Sequence, residues 1–166
     1  RQMCIRDRPS AATEELRDAT PRGSERILLV DDEQDLVSML DAMLTELGYT
    51  VTTFTDSRKA LQDFAASPEA YDLLITDLTM PDMTGAKLID YICNIKPGLP
   101  AIMMSGNDAP PEGANGTTAP YSYLKKPVKK IDLAKSIRRA LRRSGQPSAD
   151  QPEQRNPAQQ SDAEVA

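Results

Sequence analysis

Histidine is missing from all 166 residues. The commonest general base and metal ligand is therefore excluded, and candidate chemistry rests on carboxylates, hydroxyls and amines. Cysteine is nearly missing too, with only Cys4 and Cys93, too few for a framework of several disulfides. Cys93 sits inside an apolar helical pattern and reads as a small buried hydrophobe. No apolar run approaches the roughly 18 residues of a membrane helix. Positive charge is not in surplus: 20 Lys and Arg face 25 Asp and Glu, a net charge of −5, which gives the molecule as a whole no electrostatic footprint for nucleic acid. No secretory signal pattern is read, and the cytosol is the expected compartment. What is present, 39% apolar residues in this length, suffices for one ordinary core with tails.

The two ends differ in composition from the middle. Gln2 to Asp7 read Q-M-C-I-R-D, what a transposon-end tag used in sequencing libraries encodes when translated. They are set aside as a scar, with the expectation that the natural chain continues upstream. Ala11 to Glu25 is polar, with Pro21 and Gly23 near its end, so residues 1–25 are expected to be scar plus disordered linker. From Ser144 onward Gln, Pro, Ser, Ala and Asp dominate. Such a segment buries too little surface to offset its ordering entropy, and 144–166 is expected to be a disordered tail.

Between Arg26 and Arg143 strand and helix patterns alternate. Leu36, Val37, Leu40, Met43, Leu44 and Leu47 recur at helical spacing and are followed by Gly48, a left-handed stop. Tyr49 to Phe54 is rich in β-branched residues and predicts a second strand. Ser57 can cap a helix with Ala60, Leu61 and Phe64 on one face, ended before Pro68. Leu73 to Ile75 has no polar alternation, as in a strand covered on both faces. A helix with Leu88, Ile89, Ile92 and Ile95 inward follows Gly85 and is stopped by Pro97 and Gly98. Ala101 to Met104 and Tyr121 to Leu124 predict two more strands, and Ile131, Ala134, Ile137 and Leu141 stripe a last helix. This alternation predicts an α/β fold, a parallel sheet with helices on both faces. One crossover departs from it. Pro110, Pro111, Gly113, Gly116 and Pro120 interrupt the stretch before Tyr121, whose only apolar side chains are alanines, so a loop is expected there instead of a proper helix.

Four of the predicted strands end in polar residues: Asp31 and Asp32, Asp77, Ser105, and Lys126. In an open α/β sheet the carboxyl ends of the strands form the rim where ligands bind. Three carboxylates, a hydroxyl and an ammonium there suit a divalent cation and a phosphoryl group. Three clustered carboxylates repel one another unless a cation compensates them, and oxygen-only ligands suit a hard ion such as Mg2+. The plainer alternatives are that Asp31 and Asp32 cap the following helix and that Lys126 is a solvated surface lysine.

Ile-Leu-Leu-Val-Asp-Asp-Glu at 27–33, Asp-Leu-Thr-Met-Pro-Asp-Met-Thr-Gly at 77–85, Met-Ser-Gly at 104–106 and Tyr-Leu-Lys-Lys-Pro at 123–127 jointly resemble the receiver domains of two-component response regulators. The resemblance covers residues 26–143. It implies a five-stranded parallel sheet in the flavodoxin-like order 2-1-3-4-5, with the fourth helix degenerate or missing in this chain. It also implies that Asp77 accepts a phosphoryl group from a histidine kinase or a histidine phosphotransfer protein, with Lys126 and Ser105 assisting. The implied Mg2+ ligands are Asp31, mainly through water, Asp32, Asp77 and the backbone carbonyl of Thr79. Ser105 and Tyr123 fall at the switch positions, although Tyr123 also reads as a packing aromatic on an edge strand. Thr79 and Asn107 fall where the family tunes acyl-phosphate hydrolysis, and the peptide before Pro127 is expected to be cis. Such a domain catalyses its own phosphorylation and dephosphorylation and is not a kinase.

Lys125, Lys126, Lys129, Lys130, Lys135, Arg138, Arg139, Arg142 and Arg143 make the last strand and helix basic. Without aromatic interleaving or a recognition motif, no direct nucleic-acid contact is expected. A solvated face that docks an acidic partner is the expected reading. Pro-Arg-Gly-Ser-Glu-Arg before the first strand resembles the junction preceding carboxy-terminal receivers of hybrid sensor histidine kinases. A single-domain response regulator acting by protein binding, and a receiver-like module that never carries phosphate, are the alternatives. The downstream effector is not legible, and no membrane contact is expected.

Overall fold

A computed structural model describes residues 20–106 and 121–144. Five strands, β1 (Arg26–Val30), β2 (Thr50–Phe54), β3 (Leu73–Asp77), β4 (Ala101–Ser105) and β5 (Tyr121–Lys125), pair in parallel in the order β2-β1-β3-β4-β5. The described helices are α1 (Gln34–Glu46), α2 (Ser57–Ala66), α3 (Gly85–Ile95) and α4 (Lys130–Ser144), with one 3-10 turn at Pro68–Ala70. The strand order is the one the motifs implied. The expected degenerate helix between β4 and β5 falls on 107–120, outside the described residues, as do the Gln2 to Asp7 segment and the tail beyond Ser144. Among the described residues no helix is long and apolar enough to cross a membrane.

Each central strand is buried on both sides, so successive side chains serve different cores. Ile27, Leu29, Leu73, Ile75, Ile102 and Met104 face Leu40 and Leu44 of α1 and Leu133 and Ile137 of α4. Leu28, Val30, Leu74 and Met103 face Ala60 and Phe64 of α2 and Leu88 and Ile92 of α3. Fully buried Leu, Ile and Phe side chains stabilise the fold by roughly 1.5–3 kcal/mol each, so two double-sided layers hold the rim of the sheet in place.

One helix start departs from the sequence reading, and at another the plainer alternative fails. Asp56, not Ser57, caps α2: its extended backbone lets the carboxylate accept from the N–H groups of Arg58 and Lys59, while Ser57 is already helical and buried. Neither Asp31 nor Asp32 is the cap of α1. That position is Glu33, which makes no side-chain cap bond. Gly48 ends α1 at φ +97°, as a left-handed stop requires.

The last residues before β1 are tied to the domain. Gly23 N–H donates to the Leu47 carbonyl at 3.1 Å. Glu25 is held by Arg138, whose Nη1 and Nη2 donate to its two carboxylate oxygens at 2.9 and 2.6 Å.

Candidate functional site

Strand register brings the predicted polar residues to one rim. Val30 pairs with Thr76, Asp77 with Met104, and Ser105 with Lys125. Asp31, Asp77, Ser105 and Lys126 therefore leave the sheet at adjacent points, although up to 95 residues separate them. Asp31, Asp77 and Ser105 are buried, at 1%, 6% and 4% exposure, which is costly for two carboxylates without a partner.

Lys126 is that partner. Its Nζ lies 2.8 Å from Asp31 Oδ2 and 2.7 Å from Asp77 Oδ1. Burial alone would depress the lysine pKa, but hydrogen bonds and Coulombic attraction from Asp31 and Asp77 outweigh it, and the pKa is raised. The remaining oxygens are also bound. Asp77 Oδ2 accepts from the Thr79 N–H at 2.7 Å, and Asp31 Oδ1 accepts from the Glu33 N–H at 3.0 Å. Both carboxylates are thereby held in fixed orientations. The Lys126–Pro127 peptide is cis, and the Lys126 N–H donates to the Ser105 carbonyl at 2.8 Å, linking the ends of β4 and β5.

The other predicted residues are placed differently. Asp32 is exposed and Thr79 is exposed on the loop after β3. Tyr123 is half-buried on β5, in register with Met103. Asn107 lies outside the described residues.

Among the described residues the acidic side chains are not drawn into a closed metal-binding cluster. Lys126 stands between two of them. The donor set nevertheless fits a hard dication. Two buried carboxylates with one ammonium leave a net negative charge, the neighbouring Asp32 adds another, and every candidate donor is oxygen. Asp31, Asp32 and Asp77 are the side chains that would hold such an ion.

Sequence reasoning read Gly85 only as a helix boundary and missed that it shapes this rim. Gly85 opens α3 against the end of β3, and a Cβ there would lie 2.1 Å from the backbone oxygen of Asp77. Its N–H donates to the Leu78 carbonyl at 3.0 Å. The available signal was a glycine at a helix start, where Ser, Thr, Asp or Asn ordinarily precede a residue with a side chain.

Comparison with known proteins agrees with this geometry. A family model described as the response regulator receiver domain matches residues 27–138. The two-component response regulator ARR12 of Arabidopsis thaliana is 37% identical over 113 residues, covering 68% of this chain and 19% of that protein. A response regulator receiver domain protein from Clostridium thermocellum superposes with a TM-score of 0.66 at 28% identity, covering 72% of this chain and 95% of that one. The receiver domain of the hybrid histidine kinase CckA superposes with a TM-score of 0.60 at 28% identity, covering 70% and 98%. The chain spans less than a third of the length of the curated relatives it matches.

Proposed function

We propose that this chain, which belongs to the response regulator receiver domain family, takes a phosphoryl group onto Asp77 from a phosphohistidine of a histidine kinase or a histidine phosphotransfer protein. A carboxylate oxygen of Asp77 attacks phosphorus, the phosphorus–nitrogen bond breaks, and its electron pair returns to the imidazole of the donor. The product is an acyl phosphate on Asp77. The observation that carries this reading is the clamping of buried Asp77 between the Lys126 ammonium and the Thr79 N–H.

Little covalent work falls to the protein in such a transfer, so positioning and charge stabilisation dominate. Lys126 stays beside the phosphorylated carboxyl and offsets charge on the phosphoryl oxygens. A bound Mg2+ supplies further charge compensation, and three carboxylates, one dication and one ammonium sum to neutrality before transfer. Phosphorylation then unbalances the site. Ser105 and Tyr123 are the residues proposed to respond, through the hydroxyl at the end of β4 and the ring on β5. Thr79 and Asn107 are proposed to set the lifetime of the acyl phosphate. The cytosol is the proposed compartment.

A second proposal concerns context. The lead-in before β1 resembles the junction of hybrid sensor kinases, and the likeness to the CckA receiver supports placing this domain at the carboxyl end of such a kinase. Genomic sequence upstream that encodes no kinase ATP-binding domain would overturn that placement and favour a stand-alone regulator.

The central test is incubation with Mg2+ and a small acyl-phosphate donor, followed by intact mass. The parent gains one phosphoryl group and Asp77→Asn gains none. A parent that gains none, or an equal gain by Asp77→Asn, overturns the assignment.

A further inference from the structure

The last helix carries a charge pattern that the site at Asp77 does not use. α4 holds Lys130, Lys135, Arg138, Arg139, Arg142 and Arg143 against a single acid, Asp132, whereas the whole chain is net negative. Lys130 pairs with Glu46 and Arg138 with Glu25, and Arg143 also has a partner. An open cleft of about 490 Å³ lies along the helix, lined by Pro21, Lys135, Arg138, Arg139, Arg142 and Arg143. Arg138 reaches Glu25 and Tyr49, which precede β1 and β2. The cleft is therefore on the rim opposite Asp77.

Lys135, Arg139 and Arg142 recur at i, i+4 and i+7, are exposed, and have no carboxylate partner among the described residues. Like charges at this spacing repel, so an anion on this face relieves a cost the fold carries alone. The face already shows what it accepts. The Glu25 carboxylate, carried on the chain running past the helix, sits in the fork of Arg138, the paired geometry in which guanidinium binds carboxylate most strongly.

We propose that this cleft docks an acidic peptide segment of a partner protein, its Asp and Glu carboxylates received by Lys135, Arg139 and Arg142. Two features favour a peptide over nucleic acid. Among the described residues no aromatic ring lines the cleft to stack a base. The cations from Lys135 to Arg143 span about 12 Å of helix, the reach of about four extended residues, and the negative surplus elsewhere opposes a long polyanion.

The test is fluorescence anisotropy of a labelled oligo-glutamate peptide with the full chain. Binding is expected to weaken several-fold as salt is raised. It should fall at least tenfold in the triple variant Lys135→Gln, Arg139→Gln, Arg142→Gln, whose circular dichroism matches the parent. Asp77→Asn should bind the peptide as the parent does, so failure of the phosphoryl-acceptor reading and failure of this one are told apart. No binding, unchanged binding by the triple variant, or tighter binding of duplex DNA than of peptide each overturns the proposal. Binding that emerges only when Glu14→Gln, Glu15→Gln and Asp18→Asn are combined also overturns it, because the chain's own acidic lead-in would then be the occupant.

Discussion

Lys126 and Asp77 have opposite effects on stability, because one ammonium serves two buried carboxylates. Lys126→Ala leaves Asp31 and Asp77 without their cation, and breaking such a buried pair costs about 3 kcal/mol or more. Asp77→Asn keeps the Lys126–Asp31 pair and removes a like-charge neighbour. It is expected to fall within about 1 kcal/mol of the parent or above it, the usual trade at a functional site. Urea unfolding of both variants at neutral pH checks the two signs. The pH dependence follows from the raised Lys126 pKa. A raised folded-state value means the contribution is complete below the unfolded lysine value of about 10.4 and is lost as pH rises through the folded one. The stability difference between parent and Lys126→Met is therefore expected to be flat from neutrality to about pH 10 and to shrink above it, read from urea midpoints across that window.

Two junctions between elements place the rim and brace the fold. α3 can approach the end of β3 only because Gly85 has no side chain, with its missing Cβ position already inside contact distance of the Asp77 oxygen. Gly85→Ala is expected to push α3 off the strand end, at a cost of about 2–3 kcal/mol, and to slow phosphoryl gain at Asp77 although no site group is altered. Thermal unfolding with the acyl-phosphate assay measures both. At the opposite rim, Glu25 and Arg138 join the entry to β1 to the last helix, with side chains about a quarter exposed. The hydrogen bond from Arg138 holds the Glu25 pKa below its ordinary value. A depressed value makes the contribution present above the unfolded glutamate value of about 4.3 and lost as pH falls. Parent and Glu25→Gln should therefore differ by about 1 kcal/mol at neutral pH and converge toward about pH 3 in denaturant titrations.

For the molecule as a whole, a dication that binds only the folded chain must raise its melting temperature. At about a hundred times its dissociation constant the gain is about 2.7 kcal/mol. Added Mg2+ is expected to raise the midpoint, chelator to reverse the rise, and Asp32→Asn to lose most of it while leaving the metal-free midpoint near the parent's, since Asp32 is exposed. An Asp32→Asn variant with the full Mg2+ response would remove Asp32 from the proposed ligand set.

The extent to which all this was legible follows from distance along the chain. Periodicity is local, so strands such as Leu73–Asp77 and helices such as Gln34–Glu46 could be read from spacing, and the four ordered motifs carried the family and with it the sheet order. Sequence by itself determined which residues would form the rim. It did not determine what they do to one another there. That Lys126 stands between Asp31 and Asp77, that Gly85 yields its space to the Asp77 carbonyl, that Asp56 takes the cap ahead of Ser57, and that Arg138 receives Glu25 were decided only by the packed structure. Lys126 and Asp31 are 95 residues apart, and Arg138 and Glu25 are 113. Contacts of that separation exist only once the two-sided core has closed, and a pattern read a few residues at a time contains no term for them.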